Sequence, residues 1–451
     1  MESNFGKQVK VTVFGESHGE CIGGCVENLP AGIPLDMDAL MAFMRRRQGG
    51  GGLTTPRKEA DLPIFTSGIT DGKTDGSNLC FTIENTNKRS GDYSLFREVP
   101  RPSHADYTAL LRFGEGCDIR GGGHFSGRLT APLCVAGYFA LSALASRGIT
   151  VGAHLYSVGE ASDTPYDPVT VCTDDFMNLE DFPARDKQAA EAMKAEILAA
   201  AREGDSVGGV IECAALGLPA GLGDPLYDGI ENRLSAALFG LGGVRGVEFG
   251  TGFAAAKMRG HAHNDAFIKK NGRVETETNH HGGVLGGITS GMPLLFRAAF
   301  KPTASISLPQ RTLSLKTGEQ TELAITGRHD PCIAVRAVPC VEALTALVLL
   351  DFLTEREKPT TLAEARAEID RINREILSLF KERLAAAAVI AEHKKKIGAP
   401  ILDERREEEI LAEMTTLAGE EYAPYARELF RTLMAGSRSY QAKLLKKDET
   451  L

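Results

Sequence analysis

The chain has 451 residues, of which 43% are hydrophobic and 25% charged, with a formal net charge of −9 and no Trp. This length exceeds one ordinary domain and predicts two or three, while the composition is that of a globular protein and the acidic balance argues against a nucleic-acid partner. No apolar run reaches the length of a membrane span, the longest, around Ala343–Leu353, being broken by Asp351.

The N-terminus lacks an apolar signal core, and the nine cysteines are scattered without a CxxC, so a cytoplasmic protein with reduced thiols is expected. Lys7–Phe14 alternates and reads as a strand ending in the turn GESHG. Asp36–Arg47 reads as a short helix delivering Arg45, Arg46 and Arg47 to a glycine run at 49–52. Ser126–Ser146 begins at a Ser-Gly-Arg turn and continues as a mostly apolar helix, and Asp186–Arg202 is an Ala-rich amphipathic one. Val207–Leu216 reads as a strand, Tyr227–Leu241 as a helix, Gly283–Gly291 as a glycine-dense loop and Ala337–Leu353 as an apolar helix. The stretch 155–185 carries no usable motif.

From about Thr361 the sequence changes character, losing glycine and gaining a sustained helical period. The predicted organisation is a front domain at 1–355, a linker at 356–361 and a helical domain at 362–451. Pro359 stops the preceding helix, and Thr361 with Glu364 forms a T-x-x-E capping box for the next. Three helices are predicted near 362–397, 403–418 and 421–446. The first carries a stripe of Ile369, Ile372, Ile376, Leu379, Arg383, Ala387, Ile390 and Lys394, with Arg366 at its start. That helix is too long to bury its apolar face alone, which predicts a bundled or intertwined dimer. Cations on a core stripe are costly unless paired. One reading pairs them with carboxylates such as Glu407; the excess of cations favours a site for a small polyanion.

This tail resembles the all-helical class of chorismate mutases over about 362–445. The resemblance implies that Arg366, reaching into a partner's site, Arg383 and Arg406 hold the two carboxylates of chorismate. Lys394 and Gln441 would bond the ether oxygen, Glu407 the ring hydroxyl, and Asp403 and Ser437 complete the site. The chemistry is a unimolecular Claisen rearrangement to prephenate, needing conformational compression and charge stabilisation but no nucleophile or cofactor. A module that only dimerises or senses chorismate is the alternative; retention of both Lys394 and Gln441 favours catalysis.

In the front part, glycine-rich segments bring backbone close to a ligand. Ser126 and Gly127 precede a helix whose first amides suit a phosphate. Arginines at 45–47, 101, 120, 128 and 328 cluster around the turns GESHG and RPSHAD, pointing to a phosphorylated, carboxylated substrate. His18 and His104 follow turns, a setting suited to acid–base work near neutrality. His261, His263, His280 and His281 lack carboxylate or thiolate ligands at familiar spacing, so no metal is expected. No dinucleotide fingerprint follows the first strand, which argues against a flavin-dependent oxidoreductase.

Seven segments, GESHG (15–19), RPSHADYT (101–108), RGGGHFSGR (120–128), GVEFGTGF (246–253), GGVLGGITSGMP (282–293), FKPTASI (300–306) and GRHDPC (327–332), occur in one order. In that order they resemble chorismate synthase over about 5–355. The resemblance implies an α+β fold, a β-α-β sandwich, and the 1,4-elimination of phosphate from 5-enolpyruvylshikimate 3-phosphate with reduced FMN. By the same resemblance the flavin lends electron density as phosphate leaves and recovers it as the ring hydrogen departs. His18 would protonate the leaving phosphate, His104 maintain the flavin's protonation state, and Asp330 act as base through flavin N5. FMN contacts would come from His124, Phe125, Ser126, Gly242, Gly243, Gly286, Lys301, Pro302, Thr303, Ala304, Ser305 and Arg328. Substrate anions would meet Arg46, Arg101, Arg128 and Arg328. Two departures stand out. RRRQGGGG at 45–52 lacks a proline and a second downstream basic residue, Gly52 standing there, which bears on any nicotinamide (NADP) or phosphate contact. His124 stands where many members have arginine. A homotetramer or dimer of dimers and a separate flavin reductant are expected, and consecutive steps on one chain would limit escape of chorismate.

Overall fold

The computed structural model describes residues 2–48, 53–54, 59–86, 95–114, 116–177, 182–270, 272–325, 329–356 and 362–447. Arg356, the first residue of the expected linker, ends a helix; the rest of the linker, the Thr361 cap, Gly52 and Arg328 lie outside the described residues. The chain forms two compact units, Met1–Glu357 and Lys358–Leu451.

The front unit contains two antiparallel five-stranded sheets. The first runs, edge to edge, Glu2–Phe5, Lys10–Gly15, Cys21–Glu27, Leu79–Glu84 and Pro63–Ser67. The second runs Val244–Phe249, Leu294–Phe300, Gly209–Leu216, Thr150–Val158 and Ala161–Ser162. The helices are α1 (Met37–Arg47), α2 (Leu95–Glu98), α3 (Asp106–Phe113), α4 (Thr130–Ala145), α5 (Lys187–Arg202), α6 (Ile230–Leu238), α7 (Gly260–His263) and α8 (Ala334–Arg356). Leu79, Phe81 and Ile83 alternate into the core from the first sheet. Helix α4 packs against that sheet and α8 against the second, and the two helices pack on each other. The result is a β-α-β sandwich.

Position in the middle layer explains why α4 and α8 are apolar all round rather than on one stripe. Both are long and apolar enough to cross a membrane, but most of each is buried in this core. Gly137 allows their close approach: a Cβ there would lie 2.2 Å from Ala343 Cβ. Asp351, which interrupts the apolar run of α8, accepts the backbone N–H groups of Lys7, Gln8 and Val9 and so fixes the N-terminal segment. Asp36 caps α1 by accepting from Asp38 and Ala39.

Several sequence expectations need correction. The predicted Tyr227–Leu241 helix is shorter, Ile230–Leu238, and the 283–291 loop holds a small hairpin of Val284–Leu285 and Ile288–Thr289. Cys25 and Cys80 form a disulfide, against the expectation of reduced thiols; they are directly opposed on neighbouring strands, a pairing that a separation of 55 residues does not reveal.

In the tail, α9 (Leu362–Ile397) packs on α10 (Glu404–Lys447). Gly419, at φ 72° and ψ 167°, breaks α10 into the two helices that the sequence predicts. Within the single chain, Ala387 of the predicted stripe is buried, and Ile369, Ile372, Ile376, Leu379 and Ile390 are exposed, between 40% and 63%. The α9–α10 contact buries Ala387 and Ala391 against Met434, Ser437 and Gln441 instead.

Candidate active sites

A cavity of about 620 Å³ opens in the front unit. Its walls come from the GESHG turn, the 121–128 loop, residues 300–305 and the start of α8, segments far apart in sequence. Local geometry explains the glycines. Gly121, Gly122 and Gly123 all have positive φ, and a Cβ on Gly121 would meet His18 at 2.2 Å. The Ser17 N–H donates to Gly123 O at 3.1 Å, locking the two motifs together. His18 is thereby buried in the cavity wall.

The buried Arg101 and Asp106 form one group with the partly exposed His104. The Asp106 carboxylate accepts from Arg101 Nε and Nη2, each at 2.7 Å, and lies 2.7 Å from His104 Nδ1. Burial opposes ionisation of Asp106, but the hydrogen bonds from Arg101 and His104 outweigh it and hold its pKa well below the usual carboxylate range. Arg101 Nη2 also lies 3.1 Å from His104 Nδ1, so that nitrogen sits between a carboxylate that only accepts and a guanidinium that only donates. Arg101 also donates to Ser305 Oγ at 3.1 Å.

A second group joins Arg47, Asp61 and Arg128. Asp61 accepts from both guanidinium groups; burial raises its pKa, and Arg47 followed by Arg128 brings it below the ordinary value. Arg128 Nε donates to Asn85 Oδ1 at 3.0 Å. Asp330 accepts from Arg336 Nη1 at 2.7 Å, and Arg336 Nε donates to Arg47 O at 2.8 Å. Among the described residues, the lining sets six cations, Arg47, Arg101, Arg128, Arg245, Lys301 and Arg336, against Glu59, Asp61 and Asp330. Burial and then Arg245 lower the Lys301 pKa, and burial and then Arg101 lower that of His329.

The cavity also brings in Phe125, Ser126, Gly242, Gly243, Pro302, Thr303, Ala304 and Ser305. Three expected positions are not part of its lining. Arg46 makes a two-pronged ion pair with buried Glu342, at 2.7 and 2.8 Å; successive residues turn about 100° around a helix, so Arg47 takes the cavity side. His124 Nδ1 bonds Gly15 O at 2.8 Å and Nε2 bonds Ser3 Oγ at 2.9 Å, which turns its ring to the first sheet. Gly286 sits in the turn between Val284–Leu285 and Ile288–Thr289. The sequence reading missed Arg245, Arg336 and Asp61. Arg245 lies beside Gly246 and was findable by the same glycine-neighbour signal; Asp61 has no motif around it.

The fit to a flavin is favourable. The volume lies within the range of cofactor sites, Gly242 leaves an open wall, and Thr303 Oγ1 and His329 Nε2 are buried with no hydrogen-bond partner among the described residues.

In the tail, Arg383 Nη1 donates to Leu433 O at 3.0 Å and to Ser437 Oγ. Lys394 Nζ donates to Ile401 O at 2.6 Å. Asp403 Oδ1 accepts the Arg406 N–H at 3.1 Å, capping α10, while the Arg406 guanidinium reaches Glu409 at 3.3 Å. Glu407 pairs with Arg438, a residue that the sequence reading did not single out, and not with a stripe cation. Gln441 is buried with Oε1 unbonded among the described residues, and Arg366 is exposed.

A sandwich with a cationic, histidine-bearing cavity, followed by a helical unit with its own cations, defines a two-domain enzyme acting on small anions. The chorismate synthase family profile matches residues 9–354 and that of chorismate mutase type II matches 365–442; the chain belongs to the chorismate synthase family and carries a chorismate mutase domain behind it. The chorismate synthase of Lancefieldella parvula is 44% identical over 366 residues, covering 78% of this chain and 96% of its own length. That of Thermococcus gammatolerans is 46% identical over 352 residues, covering 78% and 98%. A crystal structure of a chorismate synthase aligns with a TM-score of 0.62 at 25% identity, over 83% of this chain and 100% of that one. The chain is a bifunctional enzyme that makes chorismate and rearranges it.

Proposed function

We propose that the front cavity binds 5-enolpyruvylshikimate 3-phosphate together with reduced FMN, and that residues of α9 and α10 bind chorismate. The convergence of His18, His104 and Asp330 with Arg47, Arg101 and Arg128 on one cavity is the observation that carries the first assignment. Flavin, when bound, supplies electron density that eases the departure of phosphate. Phe125, Ser126, Gly242, Gly243 and the 301–305 segment are its proposed holders, with Thr303 and His329 offering unbonded polar atoms.

His18 donates a proton to the leaving phosphate oxygen, and Asp330 takes up the proton released from the ring. The Arg101–His104–Asp106 group fixes the orientation of the His104 ring, which would set the protonation of a bound flavin. Arg47, Arg101 and Arg128 neutralise phosphate and carboxylate. In the tail, Arg383 and Arg406 bind carboxylates. Lys394 and Gln441 stabilise charge on the ether oxygen, and Glu407 meets the ring hydroxyl. Arg366 completes the site of a second copy, which also covers the exposed Ile369, Ile372 and Ile376. The proposed assembly is a dimer of dimers in the cytoplasm, with domains at 1–355 and 362–451.

His18→Ala tests the front assignment. It is expected to lower the elimination rate by about 100-fold or more, read as phosphate release, while added chorismate still becomes prephenate. Unchanged phosphate release would remove His18 from the mechanism.

A further inference from the structure

We propose that Cys134 and Cys340 act as a dithiol that reduces oxidised flavin in the front cavity, closing to a Cys134–Cys340 disulfide. The proposal rests on the reading that this cavity holds FMN.

The two Sγ atoms are 3.7 Å apart, on α4 and α8. Cys340 lies in the cavity wall, on the same face of α8 as Arg336 and Ala337; Cys134 stands behind it, fully buried. A disulfide requires an S–S separation of about 2.05 Å and close backbones. The backbones are close here. One turn further along both helices, a Cβ on Gly137 would lie 2.5 Å from Ala343 Cα. A close backbone approach of the two helices therefore lies one turn from the thiol pair.

The surroundings favour thiolate chemistry at Cys340. The buried Arg47 donates from Nη1 to Thr130 Oγ1 at 3.2 Å and from Nη2 to Asp61, yet its Nε has no hydrogen-bond partner among the described residues. A Cys340 thiolate would be stabilised by the positive charge of that guanidinium. The hydrogen bond from Cys134 and then the charge of Arg47 draw the Cys340 pKa down, while burial pushes that of Cys134 up. Cys340 is thus the cavity-facing nucleophile and Cys134 the resolving thiol. Cys213 and Cys332 are buried elsewhere, Cys213 against Thr345.

The step balances. Two S–H bonds break, one S–S bond forms, and two electrons with two protons pass to oxidised flavin, giving reduced flavin. The elimination of phosphate has no net redox change, so reduced flavin is not consumed. A single charge from one dithiol therefore serves many turnovers, and a dithiol reductant from outside is needed only to reopen the disulfide.

The test uses the full chain, reduced with dithiothreitol, desalted without oxygen and mixed with oxidised FMN and 5-enolpyruvylshikimate 3-phosphate. Three quantities are read: FMN binding by equilibrium dialysis, the visible absorbance of oxidised flavin, and the Cys134–Cys340 peptide by mass spectrometry. The expected result is bleaching approaching about one flavin per chain with appearance of the linked peptide. Cys134→Ala and, independently, Cys340→Ala bind FMN but neither bleach it nor cross-link. FMN that binds while its absorbance persists and both thiols remain alkylatable overturns the dithiol alone. Equal bleaching by both variants does the same. Failure of the wild-type chain to bind FMN overturns the flavin reading and the dithiol with it.

Discussion

Arg46 and Arg47 are neighbours in sequence with opposite consequences. Arg46→Ala leaves the carboxylate of Glu342 buried and unpaired on that side, and is expected to destabilise the front unit by about 3 kcal/mol. Urea unfolding measures this, with KM of the folded enzyme unchanged. Arg47→Ala, by contrast, should lower kcat/KM of the elimination by about 100-fold; a loss of stability without that kinetic effect would show Arg47 to be structural. The buried carboxylates set the acid limit. Asp61, Asp106, Asp163 and Glu212 all have pKa values lowered in the folded chain. Below about pH 4 the unfolded chain binds more protons than the folded one, so stability is full above that range and falls as pH drops through it. Thermal melts between neutral and acidic pH should show Tm falling steeply there; a flat profile would contradict the ion-pair description. Asp163 and Glu212 share one partner, His154, whose two ring nitrogens lie 3.0 Å from each.

At the scale of elements, the sandwich depends on the α4–α8 contact. Gly137→Val places side-chain atoms where Ala343 stands and should cost about 1–3 kcal/mol, measurable by denaturant unfolding. On α9, Ile372, Ile376 and Leu379 form an exposed apolar face. The double change Ile376→Lys and Leu379→Lys is expected to lower the assembly's mass in sedimentation without unfolding the front unit; unchanged mass would refute the α9 interface. Helix positions were legible in the sequence because caps and periods are local: Asp36, Asp186 and Gly419 mark real ends or breaks. The face against α10 was not legible in the same way. Steps of three and four identify a stripe, but the partner decides which part of it is covered, and within the chain α10 selects Ala387 and Ala391 over Ile390. The site shows the same division. Local turn motifs marked His18 in GESHG and His104 in RPSHAD, and the ordered set of motifs marked the 300–305 segment. Asp61 became visible only in three dimensions, where it lies between two arginines.

For the whole molecule, the central claim is that one chain performs two consecutive reactions at separate sites. The two activities should therefore separate by mutation. Lys394→Ala should retain phosphate release and accumulate chorismate, with prephenate formation reduced about 100-fold or more; product analysis distinguishes this from a chain in which the tail only supports assembly. The most direct measurement incubates the purified wild-type chain, without oxygen, with 5-enolpyruvylshikimate 3-phosphate and chemically reduced FMN, and identifies the products. The account predicts prephenate and one released phosphate for each substrate consumed. Chorismate as the sole organic product would contradict the catalytic reading of the tail, and unchanged substrate would contradict that of the front cavity.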